Sequence, residues 1–139
     1  MRAHPANPDI VVAASVIGLC ISRDAGATWT IERGGLHASY CSAVAFSGND
    51  ILVSASTDHF AAQGRIYRRP ILPDGDIVVV EGGMLTWTEG IVDTGCIAAN
   101  GSSIAVADRA GSLYGSDDFG RAWSRRVTGL PTPSGVLIC

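Results

Sequence analysis

Ser22-Arg23-Asp24-Ala25-Gly26-Ala27-Thr28-Trp29 and Ser116-Asp117-Asp118-Phe119-Gly120-Arg121-Ala122-Trp123 are one pattern, S-x-D-x-G-x-x-W, written twice. Their serines stand 94 residues apart, and half of that interval, 47, falls on Arg69 in the segment Gly64-Arg65-Ile66-Tyr67-Arg68-Arg69. That segment mirrors Gly111-Ser112-Leu113-Tyr114-Gly115-Ser116, whose glycine lies 47 residues beyond Gly64. A period in this range is the mark of solenoids, propellers and repeat arrays. The chain therefore reads as about three tandem units.

Each unit reads as short strands. Ser42-Ala43-Val44-Ala45-Phe46, the turn Ser47-Gly48-Asn49-Asp50 and Ile51-Leu52-Val53-Ser54-Ala55 are two β-type runs around a turn. Cys96-Ile97-Ala98-Ala99, Asn100-Gly101-Ser102-Ser103 and Ile104-Ala105-Val106-Ala107 take the same places in the next unit. A third strand carries Gly-x-Leu/Ile-Tyr, and a fourth starts at the tryptophan of the motif, at Trp29 and again at Trp123. Four strands per unit make one propeller blade, so the expected fold is an all-β propeller of about three blades. The blades span approximately residues 1–36, 37–85 and 86–130, with 131–139 starting or completing a further one.

The motif has a physical reason. Between the third and fourth strands the chain reverses tightly. An Asp carboxylate accepts hydrogen bonds from backbone amides ahead of it, and Gly takes a positive φ. The Ser hydroxyl braces the same turn, and the Trp packs its large apolar surface beside it. Ser22, Asp24, Gly26, Trp29, Ser116, Asp118, Gly120 and Trp123 are thus structural residues.

The paired element resembles the Asp-box, or BNR repeat, of sialidases, sortilin-type receptor propellers and photosystem assembly factors of the propeller class. In the middle unit the corresponding stretch, Arg69-Pro70-Ile71-Leu72-Pro73-Asp74-Gly75-Asp76-Ile77, keeps an Asp-Gly turn but lacks the Ser and Trp. For sialidases the resemblance implies three arginines on the substrate carboxylate, a Tyr/Glu nucleophilic pair and an acid/base Asp. Guanidinium suits that clamp because it is a rigid bidentate fork. This chain has ten arginines and no lysine, yet none sits in a signature that marks a catalytic site, and fold alone carries no activity. No catalytic residues are assigned.

With 139 residues, 47% of them hydrophobic, and a net charge of −3, the chain suits an apolar-rich β protein and gives no reason to expect a nucleic-acid partner. No stretch approaches the ~20 consecutive apolar residues of a membrane helix. The N-terminus, Met1-Arg2-Ala3-His4-Pro5, has no apolar signal core, so the expected location is cytoplasmic, or extracytoplasmic if the chain belongs to a longer exported protein. Cys20, Cys41, Cys96 and Cys139 form no C-x-x-C and no Cys/His cluster. They are expected to be free thiols of the core, with no metal and no cofactor.

Three blades do not close a ring by themselves, since propellers have about four to eight, and open blade edges invite a partner. Gly135-Val136-Leu137-Ile138-Cys139 reads as the opening of another innermost strand. A homodimer is therefore expected, with residues 136–139 of each subunit entering the first blade of the other. The rival expectation is a fragment of a larger propeller.

In such rings the binding loops lie on the face away from the Asp-box turns. Here they are His37-Ala38-Ser39-Tyr40, Thr57-Asp58-His59-Phe60-Ala61-Ala62-Gln63 and the run from Met84 to Asp93. Asp58, His59, Trp87 and Glu89 are the candidate ligand residues, Trp87 for stacking and the carboxylates for hydrogen bonds. The reading that fits best is a non-catalytic scaffold for protein interaction or assembly. The alternative is a glycan-binding or glycoside-hydrolysing propeller, for which paired carboxylates need a defined separation.

Overall fold

In the computed structural model, which describes residues 1–139, thirteen strands and no helix arrange into three antiparallel sheets. The first holds β1 (Arg2–His4), β2 (Asn7–Ser15), β3 (Gly18–Ser22) and β4 (Thr30–Glu32) in sequence order. The second holds β5 (Tyr40–Ser47), β6 (Asp50–Ser56), β7 (Gln63–Pro70) and β8 (Val78–Val79), and a two-residue strand, β9 (Thr88–Glu89), adds to the start of β7. The third holds β10 (Ile97–Asn100), β11 (Ser103–Ala107), β12 (Leu113–Ser116) and β13 (Ser124–Val127). Each four-stranded meander is one blade. Tight hairpins such as Gly48-Asn49 and Gly101-Ser102 turn its first strand into its second.

The blades stack face to face, and strand alternation explains how the middle one serves two interfaces. Ile51, Val53, Ala55 and Tyr67 point to the first blade and pack with Val12, Leu19 and Ile21. Their sequence neighbours Leu52 and Ile66, with Ala43 and Ala45, point the other way onto Ile97, Ile104, Val106 and Tyr114 of the third blade. The middle strands are therefore apolar on both faces. That is why β6 reads as a near-continuous hydrophobic run rather than an alternating one.

The two S-x-D-x-G-x-x-W turns are built alike. Ser22 Oγ donates to Asp24 Oδ1 (2.8 Å) and accepts from Gly26 N (2.8 Å), while Asp24 accepts from the amide and hydroxyl of Thr28 (2.8 and 2.6 Å). Ser116 Oγ donates to Asp118 Oδ1 (2.8 Å) and accepts from Gly120 N (2.9 Å), and Asp118 accepts from the amides of Arg121 and Ala122 (3.0 and 2.9 Å). Trp29 and Trp123 each donate their indole N–H to the glycine carbonyl three residues back, at 3.0 and 2.9 Å. That bond holds the tryptophan inside the turn, so the fourth strand starts one residue later than the sequence predicts, at Thr30 and Ser124.

Bonding to the ionised carboxylate lowers its pKa. Asp24 falls to about 2, chiefly through the Thr28 hydroxyl, and Asp118 is lowered chiefly by the Ala122 amide. Both contribute stability that is present above the unfolded carboxylate range and lost as pH falls through the folded value. Between about pH 4 and pH 2 the melting temperature is expected to drop, and to drop less steeply in Asp24→Asn. Circular dichroism melts across that window measure it, and equal slopes would refute the role given to Asp24.

The degenerate middle turn is held by the opposite chemistry. Arg69, at the position of the motif serine, is 2% exposed along its side chain. Its Nη1 donates to the carbonyls of Pro70 and Leu72 and its Nη2 to Pro73 O, so a cation binds carbonyls where the other turns use an anion binding amides. The free side of the guanidinium pairs with Glu32 of the first blade, Nε to Oε2 at 2.8 Å and Nη2 to Oε1 at 2.7 Å. The turn is thereby clamped to its neighbour.

Cys41 and Cys96 are buried, Cys20 is half-buried and Cys139 exposed, all as free thiols. Burial pushes the Cys41 thiol up to about 12. Cys20 lies in the position of Tyr67 and Tyr114 but on the outward face of the first blade, which no other blade covers. The C-terminal segment lies along its own third blade, where Val136 N donates to Gly95 O (2.9 Å).

Candidate functional site

The repeat spacing is not uniform, and its irregularity locates the site. Ile66 and Leu113, or Tyr67 and Tyr114, are equivalent positions 47 residues apart. Ala45 and Ala98, or Leu52 and Ala105, are equivalent at 53. The difference of six residues means that two loops are longer: the β6–β7 loop of the middle blade, residues 57–62, and the connection to the third blade, residues 84–96. Both open on the same end of the sheets, opposite the S-x-D-x-G-x-x-W turns. They zip together, with Gln63 paired to Glu89, Gly64 to Thr88, and Gly90 N donating to Ala62 O at 2.7 Å.

Two side-chain clusters sit on this platform. In one, His59 takes a contact from Tyr40 OH at Nδ1 (3.2 Å), and Arg109 donates to His59 O (2.7 Å) and to Asp93 Oδ2 (2.9 Å). Phe60 stands edge-on to His59 with ring centroids 5.0 Å apart and is 86% exposed. In the other, the Arg65 guanidinium lies 4.6 Å over the Trp87 ring, and His37 meets Trp87 edge-on with ring centroids 4.8 Å apart. His37 Nδ1 is 2.7 Å from the hydroxyl of buried Tyr67, and Arg65 Nε donates to Thr86 O (3.1 Å).

The charges are mostly spoken for. The Arg109 hydrogen bond holds Asp93 below the usual carboxylate range. Burial, with a smaller contribution from Arg65, lowers His37 and keeps it neutral at pH 7. Buried Asp108 accepts from Glu89 N (3.1 Å) and Ser112 N (3.0 Å), fixing the long loop to the third blade. The Glu89 carboxylate itself is exposed and makes no bond within the chain.

No family model matches the chain, and no curated protein matches it in sequence. Among solved structures it is similar to one described as YCF48 bound to D1 peptide, at a TM-score of 0.59 and 18% identity, over 84% of this chain. The fold is that of a β-propeller. The alignment takes in 35% of the other chain, so this arc spans about a third of the length of the propeller it matches.

On the propeller arc, the four residues singled out from sequence fall on one face but do different things. His59 and Trp87 centre the two clusters. Glu89 lies between them on β9. Asp58 is turned to its own loop, with Oδ1 accepting from Phe60 N (2.7 Å) and its carbonyl from Ser56 Oγ (3.0 Å). Sequence reasoning placed Tyr40, Phe60 and Asp93 on the binding loops without making them candidate ligand residues, and did not reach Arg65 and Arg109. The six-residue surplus of the two loops would have pointed to Phe60 and Asp93. A second concavity of about 290 Å³ lies at the hub, where Ala45, Phe46, Ile97 and Ala98 of the innermost strands face Arg2 and Leu137.

Proposed function

We propose that this propeller is a non-catalytic protein-interaction scaffold that takes an extended segment of a partner polypeptide across its loop face. The observation that carries the reading is the pair of aromatic clusters on the two lengthened loops, with Phe60 almost fully exposed in one and Trp87 under the Arg65 guanidinium in the other. Aromatic and Arg side chains are the usual anchors of interfaces. The guanidiniums at this end are already engaged, Arg33 by Ile17 O, Arg65 by Thr86 O and Trp87, and Arg109 by Asp93. Glu89, free at the centre, suits a basic or amide donor on the partner. The likeness to a propeller whose described ligand is a peptide supports the same reading.

Selection of binders from a displayed random peptide library, followed by calorimetry with Trp87→Ala and Phe60→Ala, tests this. Each variant is expected to weaken the selected peptides by about tenfold or more, with Glu89→Gln weakening those that carry a basic residue. Peptides that bind all three variants as tightly as the parent would overturn the assignment.

A further inference from the structure

Gly35, Gly82 and Gly129 recur at intervals of 47 residues, each just after the fourth strand of its blade and each with positive φ, at +92°, +81° and +74°. In the first two the glycine is needed because the next blade comes in against it. A Cβ on Gly35 would collide with Ile77 O, and one on Gly82 with Arg121 O. At Gly82 the docking is completed by a backbone bond, Trp123 N to Gly82 O at 2.7 Å, which seats Trp123 in the core between the second and third blades. At Gly129 a Cβ would meet nothing within 4 Å. The third blade carries the socket with nothing in it.

The first blade carries the matching plug. Residues 27–29 are the counterparts of Arg121, Ala122 and Trp123, and the Trp29 indole makes the same internal bond as Trp123. Yet Trp29 is 40% exposed where Trp123 is 7%, and its amide has no glycine carbonyl to bind. Ile31 beside it is 47% exposed, and Val11, Ala13 and Cys20 complete a half-buried apolar face. The opposite face of the third blade offers Ala98, Ala105 and Leu113. These are the equivalents of Ala45, Leu52 and Ile66, which are buried at the interface inside the chain.

We propose that these two faces bind each other between two copies of this chain, head to tail, each Gly129 receiving segment 27–29 of the other copy. The occupant is argued from the blade–blade interface already present twice within the chain, since socket and plug belong to the same repeating device. Two three-bladed arcs joined at both ends make six blades, inside the range at which propellers close, and a two-fold axis relates them, the commonest oligomeric symmetry. The pairing does not depend on what the loop face binds.

Light scattering coupled to size exclusion on the 139-residue chain tests it. The expected mass is twice 14.4 kDa. Trp29→Arg on one face and Ala105→Arg on the other fall at partly exposed positions of the two open faces, so each is expected to keep the β-type circular dichroism spectrum while raising the dimer dissociation constant about 30-fold or more. A monomer at ~100 μM, a ladder of larger species, or a dimer indifferent to both substitutions would overturn the proposal. A monomer would assign the two faces to further blades of a longer polypeptide.

Discussion

Arg69→Met is expected to destabilise the chain by about 3 kcal/mol or more, a fall of about 10 °C in melting temperature for a chain of this size. The substitution removes a bidentate pair with Glu32 and three bonds to turn carbonyls at once, from a side chain that water scarcely reaches. Glu32 keeps a partial route to solvent, at 27% side-chain exposure, so its loss of a partner is softened. The carbonyls of Pro70, Leu72 and Pro73 lose their donor in the same step. Arg69→Lys is expected to recover little, since an ammonium is a point donor and cannot reach a carboxylate and three carbonyls together. The double variant Arg69→Met with Glu32→Leu is expected to regain part of the loss, because apolar replacement of a whole buried pair is far cheaper than breaking it. Thermal melts of the three variants measure this, and a shift under 3 °C for Arg69→Met would contradict the clamp.

That turn also shows what was legible in the sequence. The two S-x-D-x-G-x-x-W turns were readable because their side-chain bonds run to groups within four residues, so spacing alone states that geometry. The repeat then gave the blade, and the blade gave the fold. The middle turn was readable only as a departure, because what replaces the Asp is an Arg whose carboxylate partner lies 37 residues away on another blade. The same limit governs the site. Trp87 and His59 could be named as loop residues, but Arg109 reaches His59 across 50 residues and Tyr40 across 19, contacts that no local pattern encodes. Asp58, a candidate by type, is exposed and bonds the Phe60 amide of its own loop, because an Asp two residues before an amide in a tight loop binds that amide first. Cys20 was expected in the core as the counterpart of two buried tyrosines, and is half-exposed because the first blade's outward face lacks the neighbour that covers theirs.

Trp123→Ala is expected to cost about 3–5 kcal/mol, and Trp29→Ala about 1 kcal/mol or less in the monomer. The two residues are matched controls for each other. They stand in the same motif, follow the same positive-φ glycine, and donate the same indole bond to the carbonyl three residues back. Anything the turn itself contributes is therefore common to both. The difference lies in what covers the ring: Trp123 packs into the cluster with Ile104, Val106 and Val80, while Trp29 has solvent on one face. Truncating the first leaves a cavity between two blades that the rigid sheets cannot collapse, whereas truncating the second exposes little that was hidden. Urea unfolding monitored by circular dichroism at low micromolar concentration or below reads the gap, and equal midpoint shifts would show that the ring's local turn, rather than the blade interface, sets its worth. The concentration dependence carries the further step. If a second copy covers Trp29, the cost of Trp29→Ala must rise toward that of Trp123→Ala as the protein is concentrated, because ligation by the partner stabilises only the parent chain.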